Sequence, residues 1–289
     1  MPLDSPLSPV PRASTAVADR HAEITIRPLD SLDELRACVA LQDEVWGKEY
    51  GDAVPASLLH VVAHVGGIVA GAFDRDGELI GFVFGLTGIK NGEIVHWSHA
   101  LGVRESARDA GVGRMLKHYQ RAELARRGIA VLYWTFDPLM AKNAHLNLNR
   151  LGAHVVEYVE NMYGKTASPL HHGLATDRLI VSWSTTLEPA RSRDIDAEDS
   201  RRHPILTPVP RAGDVLGDID APERPAVFWI EVPADIQRVT DPATLASWHA
   251  AMRKHFQWSL HHGYTVSGLH RDALTGRSFY VLERTAGIE

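Results

Sequence analysis

VRESARDAGVGRML, Val103 to Leu116, sets two glycines one residue apart where an apolar, alternating run ends and a helical pattern begins. A strand that enters a helix through Gly111 and Gly113 leaves the first backbone N–H groups of that helix unpaired and aimed at one point, and glycine lets an anion approach the backbone closely. The positive end of the helix dipole adds to the attraction. Arg108 and Arg114 stand beside it with guanidinium groups suited to phosphate oxygens. On these residues alone two readings stay open, a phosphate loop and a steric joint. The stretch lacks the third glycine of the dinucleotide fingerprint and the Gly-Lys-Ser/Thr of a P-loop, which argues against NAD and ATP.

Working outward, EIVHWSHALGV (Glu93 to Val103) reads as the strand that leads into the loop. GIVAGAFD and ELIGFVFGL precede it and read as a hairpin turning at Arg75, Asp76 and Gly77. EITIRPL (Glu23 to Leu29) alternates like a first strand, and Ser31 with Glu34 has capping-box spacing ahead of an amphipathic helix carrying Leu35, Val39, Leu41 and Trp46. A short helical piece spans about Leu58 to Val65. After the loop, a helix with Val112, Met115, Leu116, Tyr119 and Ala122 on one face ends at Gly128. VLYWTF (Val131 to Phe136) is a strand, KNAHLNLNRLG a helix ending at Gly152, and HVVEYV and RLIVSWS two more strands. A meander that passes into strand, helix, strand units places the chain in the α+β, or mixed α/β, class.

The 289 residues suggest one large or two modest domains, and 45% apolar residues is an ordinary globular share. A net charge of -6 argues against a general nucleic-acid binder. No apolar run approaches the roughly 18 residues needed to span a bilayer, so no membrane partner is expected. Residues 1–22, rich in Pro and Ser, read as a disordered tail rather than a signal peptide, and a single cysteine, Cys38, fits a reducing, cytoplasmic setting. Residues 23–186 form the main domain; 187–225, heavy in Pro, Asp and Arg, read as a linker or surface arm; 226–289 form a small C-terminal β-α-β-β extension. In that extension Asp241 before Pro242 is an N-cap and Gly263 closes the helix. One helix and a few strands make a thin core, so the extension is expected to pack on the main domain or on a second subunit, which allows a homodimer.

Arg108-x-x-Gly111-x-Gly113, with the strand ending Leu101-Gly102-Val103 before it and an amphipathic helix after it, resembles the acetyl-CoA pyrophosphate loop of the GNAT superfamily of N-acetyltransferases. The order of elements from Glu23 to Ser184 follows the same pattern, and WTFDPLMAKNAHLNLNRLG, ENMYG and LATDR resemble a bacterial branch of predicted acetyltransferases with no assigned substrate. The resemblance implies a GNAT-like acyl-CoA N-acyltransferase fold with acetyl-CoA, or another acyl-CoA, as co-substrate. It implies that the backbone N–H groups of Gly111, Val112, Gly113 and Arg114 hold the pyrophosphate, helped by Arg108, while Leu101 and Val103 pair with the pantetheine arm as an added strand. The arm would lie in a V-shaped gap between that strand and VLYWTF, with Asn143 on the following helix touching the cofactor; the usual family Asn falls nearer Ala141.

Direct attack of an amine on a thioester needs a neutral amine, donors toward the developing oxyanion and a proton for the departing thiolate. Counting back with period two from Val103, Leu101, His99 and Trp97 share one face, which makes His99 the candidate base; a structural histidine is the other reading, and Glu93 is the acidic alternative. His96 and Ser98 fall on the opposite face. Many GNAT enzymes place a Tyr four residues before the Leu-Gly that ends the second helix, where this chain has Asn147. Tyr158 and Tyr163 are the phenols left to supply the proton, with water as the remaining source. Trp46 and Trp97 either wall an acceptor pocket or belong to the core. His60 and His64 have helical i, i+4 spacing but no evident third ligand, so no metal is expected. The expected activity is acetyl transfer to a small-molecule amine or a peptide; the alternative is a CoA-binding module without turnover.

Overall fold

The structure is a computed structural model that describes residues 24–48, 53–164, 174–186, 203–220 and 224–284. Ser31 opens the first helix by the reciprocal box that its spacing implies: its hydroxyl accepts from the Glu34 N–H, and the Glu34 carboxylate accepts from the Ser31 N–H while also holding Arg27 at 2.6 Å. That box sets the turn between β1 (Thr25–Pro28) and α1 (Leu32–Trp46). After α2 (Ala56–His64), the strands β2 (Ile68–Phe73), β3 (Leu79–Lys90) and β4 (Glu93–Val103) run as an antiparallel meander. The helix α3 (Val112–Arg126) then crosses to β5 (Val131–Phe136), which lies parallel to β4; a parallel neighbour needs a crossover of this kind. α4 (Ala141–Ala144) continues into a π-helical turn, His145–Arg150, and β6 (His154–Val159) and β7 (Arg178–Ser184) complete a mixed sheet in the order β1-β2-β3-β4-β5-β7-β6.

Two cores form on the two faces of this sheet. Leu35, Cys38 and Leu41 of α1 and Leu59 and Val62 of α2 pack against Phe82 and Phe84 on one face. On the other face α3 buries Val112, Leu116, Lys117, Gln120 and Leu124. Of the residues on its apolar stripe, Ala122 is exposed and Met115 and Tyr119 are half-buried. α3 instead turns a stripe carrying Lys117 and Gln120 toward the strands, because polar side chains on β4 meet it there.

The C-terminal segment forms a second sheet, ordered β10-β11-β9-β8, from β8 (Ile205–Leu206), β9 (Val227–Val232), β10 (Tyr264–Arg271) and β11 (Ser278–Arg284), with α5 (Pro242–His261) against it. Asp241 caps α5 by accepting from the Thr244 N–H at 2.8 Å. The reading of 187–225 as a linker needs correction for its described residues 203–220: Ile205 pairs with Trp229, and Asp214 joins Glu231 on the buried Arg277 guanidinium at 2.6 Å each. An arginine fork that binds two carboxylates builds structure into a stretch whose composition reads as irregular.

The extension packs on the main domain. Asn149 holds both the N–H and the C=O of Leu269, at 3.0 and 2.9 Å, like one more rung of β10. The Tyr280 hydroxyl donates to the Pro138 carbonyl at 2.7 Å, and Arg253 grips Asp177 with two bonds of 2.8 and 2.7 Å. Phe256 is stacked on Tyr158 and edge-on to Tyr280, and one apolar cluster runs from Leu132 and Trp134 to Phe228 and Phe256. Phe256→Ala is therefore expected to cost about 3–5 kcal/mol, with both sheets unfolding in one transition. Urea denaturation followed by fluorescence and circular dichroism measures this, and an early transition confined to the extension would contradict the single core.

Candidate functional site

β4 and β5 share two parallel rungs, His96 with Leu132 and Trp97 with Tyr133. Beyond them β4 runs on to Val103 and β5 to Phe136, paired with β3 and β7 on their outer sides and parted from each other. A V-shaped gap results, with the β4 backbone edge from Ser98 to Val103 facing it. Such an edge offers N–H and C=O groups to an extended ligand.

The gap opens toward the glycine loop. Asp109 and Gly111 both adopt left-handed φ, 64° and 78°, which turns the chain sharply into α3, and no side chain caps that helix. The first-turn N–H groups of Val112, Gly113 and Arg114 thus have no partner within the helix. Gly113 lies over the end of β4: a Cβ there would meet Leu101 at 3.5 Å and Val103 at 3.9 Å. Arg108 and Arg114 are exposed at the mouth, with Arg108 Nε on the Val103 carbonyl at 3.4 Å. Asp109 reaches across to Lys142 on α4 at 2.6 Å, beside the exposed Asn143.

A bulge corrects the face assignment of His99. Phe84 pairs with Ala100 and Gly85 with Ser98, so His99 has no opposite number in β3. Gly85 makes this approach feasible, since a Cβ there would fall 2.2 Å from His96 Nε2 and 2.8 Å from the Trp97 carbonyl. The extra residue shifts the alternation. Leu101 and Val103 lie on the α3 face with His96 and Ser98, whereas His99 lies on the α1/α2 face, its ring edge-on to Phe84. Trp97 and Tyr133, an adjacent pair, share the His99 side.

Tyr163 also arrives on that side. Its hydroxyl meets the Thr135 hydroxyl at 3.2 Å, and Thr135 stands two residues past the last shared rung of β5, as His99 does in β4. The gap is therefore flanked by an imidazole from one strand and a phenol held to the other. Tyr158 does not join them: it donates to Asp177 at 2.6 Å, and its pKa is raised by burial and by that carboxylate. Glu93 sits at the far end of β4, paired with Lys90 beside the hairpin turn, away from the gap. Trp46 packs edge-on against Phe82, at the rung of Gly102, while Trp97 is opposite Leu86, so the two tryptophans share a face at separate levels. His60 and His64 are exposed on α2, and among the described residues no group of three or more His, Cys, Asp or Glu could hold a metal ion.

The α3 side of the apex holds a buried polar group that the apolar pattern missed. Lys117 Nζ donates to Ser98 Oγ at 2.7 Å and lies 4.1 Å from the centre of the Trp134 ring. Burial pushes its pKa down to about 7. Next to it His96, fully buried, is pushed down to about 3 by burial and by the charges of Lys117 and Arg127. The neutral imidazole fits its partners: Thr87 donates to the Gly66 carbonyl, so His96 Nδ1 donates to Thr87, and His96 Nε2 accepts from the Gln120 amide at 3.1 Å. Asn147, four residues before the Leu151 that ends the second helix, accepts from Trp134 Nε1 at 3.1 Å. The one sequence signal for Lys117 was a lysine three residues before a glutamine, Gln120, in the middle of an amphipathic stripe.

No protein-family model matches the chain, and no curated protein matches it. Among solved structures, 57% of the chain is similar to 99% of aminoglycoside 6'-acetyltransferase type Ii, with 23% identity and a TM-score of 0.45. It is similar over 60% of its length to 99% of the ribosomal-protein-S18-alanine N-acetyltransferase from Escherichia coli, with 19% identity and a TM-score of 0.43. It is similar over 58% of its length to 99% of an aminoglycoside 6'-N-acetyltransferase complexed with coenzyme A, with 19% identity and a TM-score of 0.42.

Proposed function

We propose that this chain transfers an acetyl or other short acyl group from acyl-CoA to an amine by direct attack. The observation that carries the reading is the parting of β4 from β5 directly below an uncapped, glycine-entered helix start. Unpaired N–H groups with two arginines beside them suit a pyrophosphate, and the exposed edge of β4 suits an amide-bearing arm. Both features belong to one groove, which suits a ligand that joins a pyrophosphate to an extended amide arm, as CoA does.

The arm enters on the α3 face, where Gly113, Leu101 and Val103 meet. The acyl carbon at its end then points through the gap toward the α1/α2 face, where His99, Trp97 and Tyr163 stand. In this reading the His99 imidazole takes the proton from the attacking amine, β4 backbone N–H groups at the bulge face the developing oxyanion, and the Tyr163 hydroxyl meets the incoming amine. Trp97 and Trp46 border the acceptor side, and Asn143 borders the donor on the α4 side. A small-molecule amine and a peptide are both open as acceptors, since the residues assigned to that side, His99, Trp97, Trp46 and Tyr163, carry no fixed charge that selects between them. The buried Cys38, its thiol pushed up to about 12 by burial, fits a cytoplasmic setting but takes no part in the reaction.

His99→Ala is expected to lower the rate of CoA release with a responsive amine about 100-fold, with the KM for acetyl-CoA unchanged. An unchanged rate would mean that His99 is structural. Binding of CoA with no turnover across a broad amine panel would instead make the chain a CoA-binding module.

A further inference from the structure

An ammonium buried without a carboxylate partner is costly unless the work of the site brings an anion to it. Lys117 is such a group. The side chains that face it are Ser98 from β4, Trp134 from β5, and the neutral His96, also from β4; Gln120 lies one turn along α3, and Asn147 reaches the cluster only through Trp134. Among the described residues no acidic group contributes to its ionisation, which burial alone perturbs.

Its position is that of the gap's apex. Ser98 is the first β4 residue beyond the rungs shared with β5, and Trp134 the first such residue of β5. From Val103 back to Ser98 the strand covers on the order of 16 Å, comparable to an extended pantetheine arm. An arm anchored at the α3 N-terminus and laid along β4 thus ends with its sulfur beside Lys117, on the face opposite His99. We propose that Lys117 donates its Nζ proton to the departing sulfur of CoA, an assignment that rests on the acyl-transfer reading above. The amine nitrogen bonds to the acyl carbon, the C–S bond breaks with its electron pair on sulfur, and that sulfur takes the proton from Nζ. The proton shed by the amine goes to His99, and solvent returns one to Lys117 once CoA has left.

The test uses the full chain, acetyl-CoA and hydroxylamine, a small amine that needs no shaped acceptor pocket. In the wild type kcat is expected to fall as pH rises past about 7, where Lys117 gives up its proton. Lys117→Met should lower kcat about 100-fold, leave the KM for acetyl-CoA unchanged and abolish the alkaline fall. Ser98→Ala keeps the lysine but removes the oxygen that accepts from Nζ, so the alkaline fall should move to lower pH. Wild-type kcat with an intact alkaline limb in Lys117→Met would overturn the proposal, and so would an acetyl group found on Lys117 by mass spectrometry, which would make it an acceptor. If Lys117→Met does not fold, an unmoved limb in Ser98→Ala overturns it equally. Calorimetry of the wild type with acetyl-CoA separates the two levels: absence of heat there defeats the acyl-transfer reading itself.

Discussion

Gly113→Trp is expected to abolish acetyl-CoA binding while leaving the fold in place. Gly113 has no left-handed φ to protect, and the space at its Cβ is bounded by Leu101 and Val103 at ordinary contact distance, so the backbone accepts a side chain there. An indole, however, fills the space between the first turn of α3 and the end of β4, where the arm and the pyrophosphate must pass. A loss of at least 100-fold, about 2.7 kcal/mol, should appear in calorimetric titration, with a melting temperature within a few degrees of wild type. Gly113→Ala is the graded control and should bind nearly as well. Gly111→Ala separates strain from obstruction: at φ 78° an L side chain costs about 1–2 kcal/mol of stability with little blockage of the groove. Retained affinity in Gly113→Trp would show that the loop is a joint after all.

The second large effect concerns stability and pH. Folding lowers the Lys117 pKa from 10.5 to about 7, so between those values the unfolded chain holds a proton that the folded chain has shed. Stability rises with pH wherever the unfolded state binds more protons. The destabilising contribution of Lys117 is thus fully present below pH 7 and is relieved as pH climbs toward 10.5, a change on the order of 5 kcal/mol. Denaturant midpoints across that range should rise in the wild type relative to Lys117→Met, and the variant should be the more stable of the two at pH 7. Parallel midpoint curves for the two proteins would show that the lysine is solvated in the folded state. His96 acts with the same sign at lower pH: folded near 3 and unfolded near 6.5, it removes stability as pH falls through that window.

These two effects draw on different kinds of information. The helix start at Gly111, the capping box at Ser31 and Glu34, the β5 strand and the cap at Asp241 were legible because each depends on a few adjacent residues whose local chemistry permits little else. So were the element order and its mixed α/β class, which follow from alternating and helical periods along the chain. The face of His99 was not legible. Period-two counting assumes an unbroken strand, and the bulge depends on Gly85, a residue of the neighbouring strand.

Lys117 was hidden for a similar reason. Lysine on an amphipathic helix ordinarily faces water, and only the packing of α3 over Ser98 and Trp134 turns it inward. The choice between Tyr158 and Tyr163 depended on Asp177 and Thr135, each more than ten residues away in sequence. The structured part of 203–220 depended on Arg277, which gathers Asp214 and Glu231 from separate segments. The sequence by itself determined the secondary elements of the main domain and of the β-α-β-β extension, their order and the glycine-entered helix start, because short-range sterics and hydrogen bonding act within a few residues. Only the tertiary structure decided which side chains face the gap and which are buried beneath it, because those outcomes follow from strand register and packing between residues far apart in the chain.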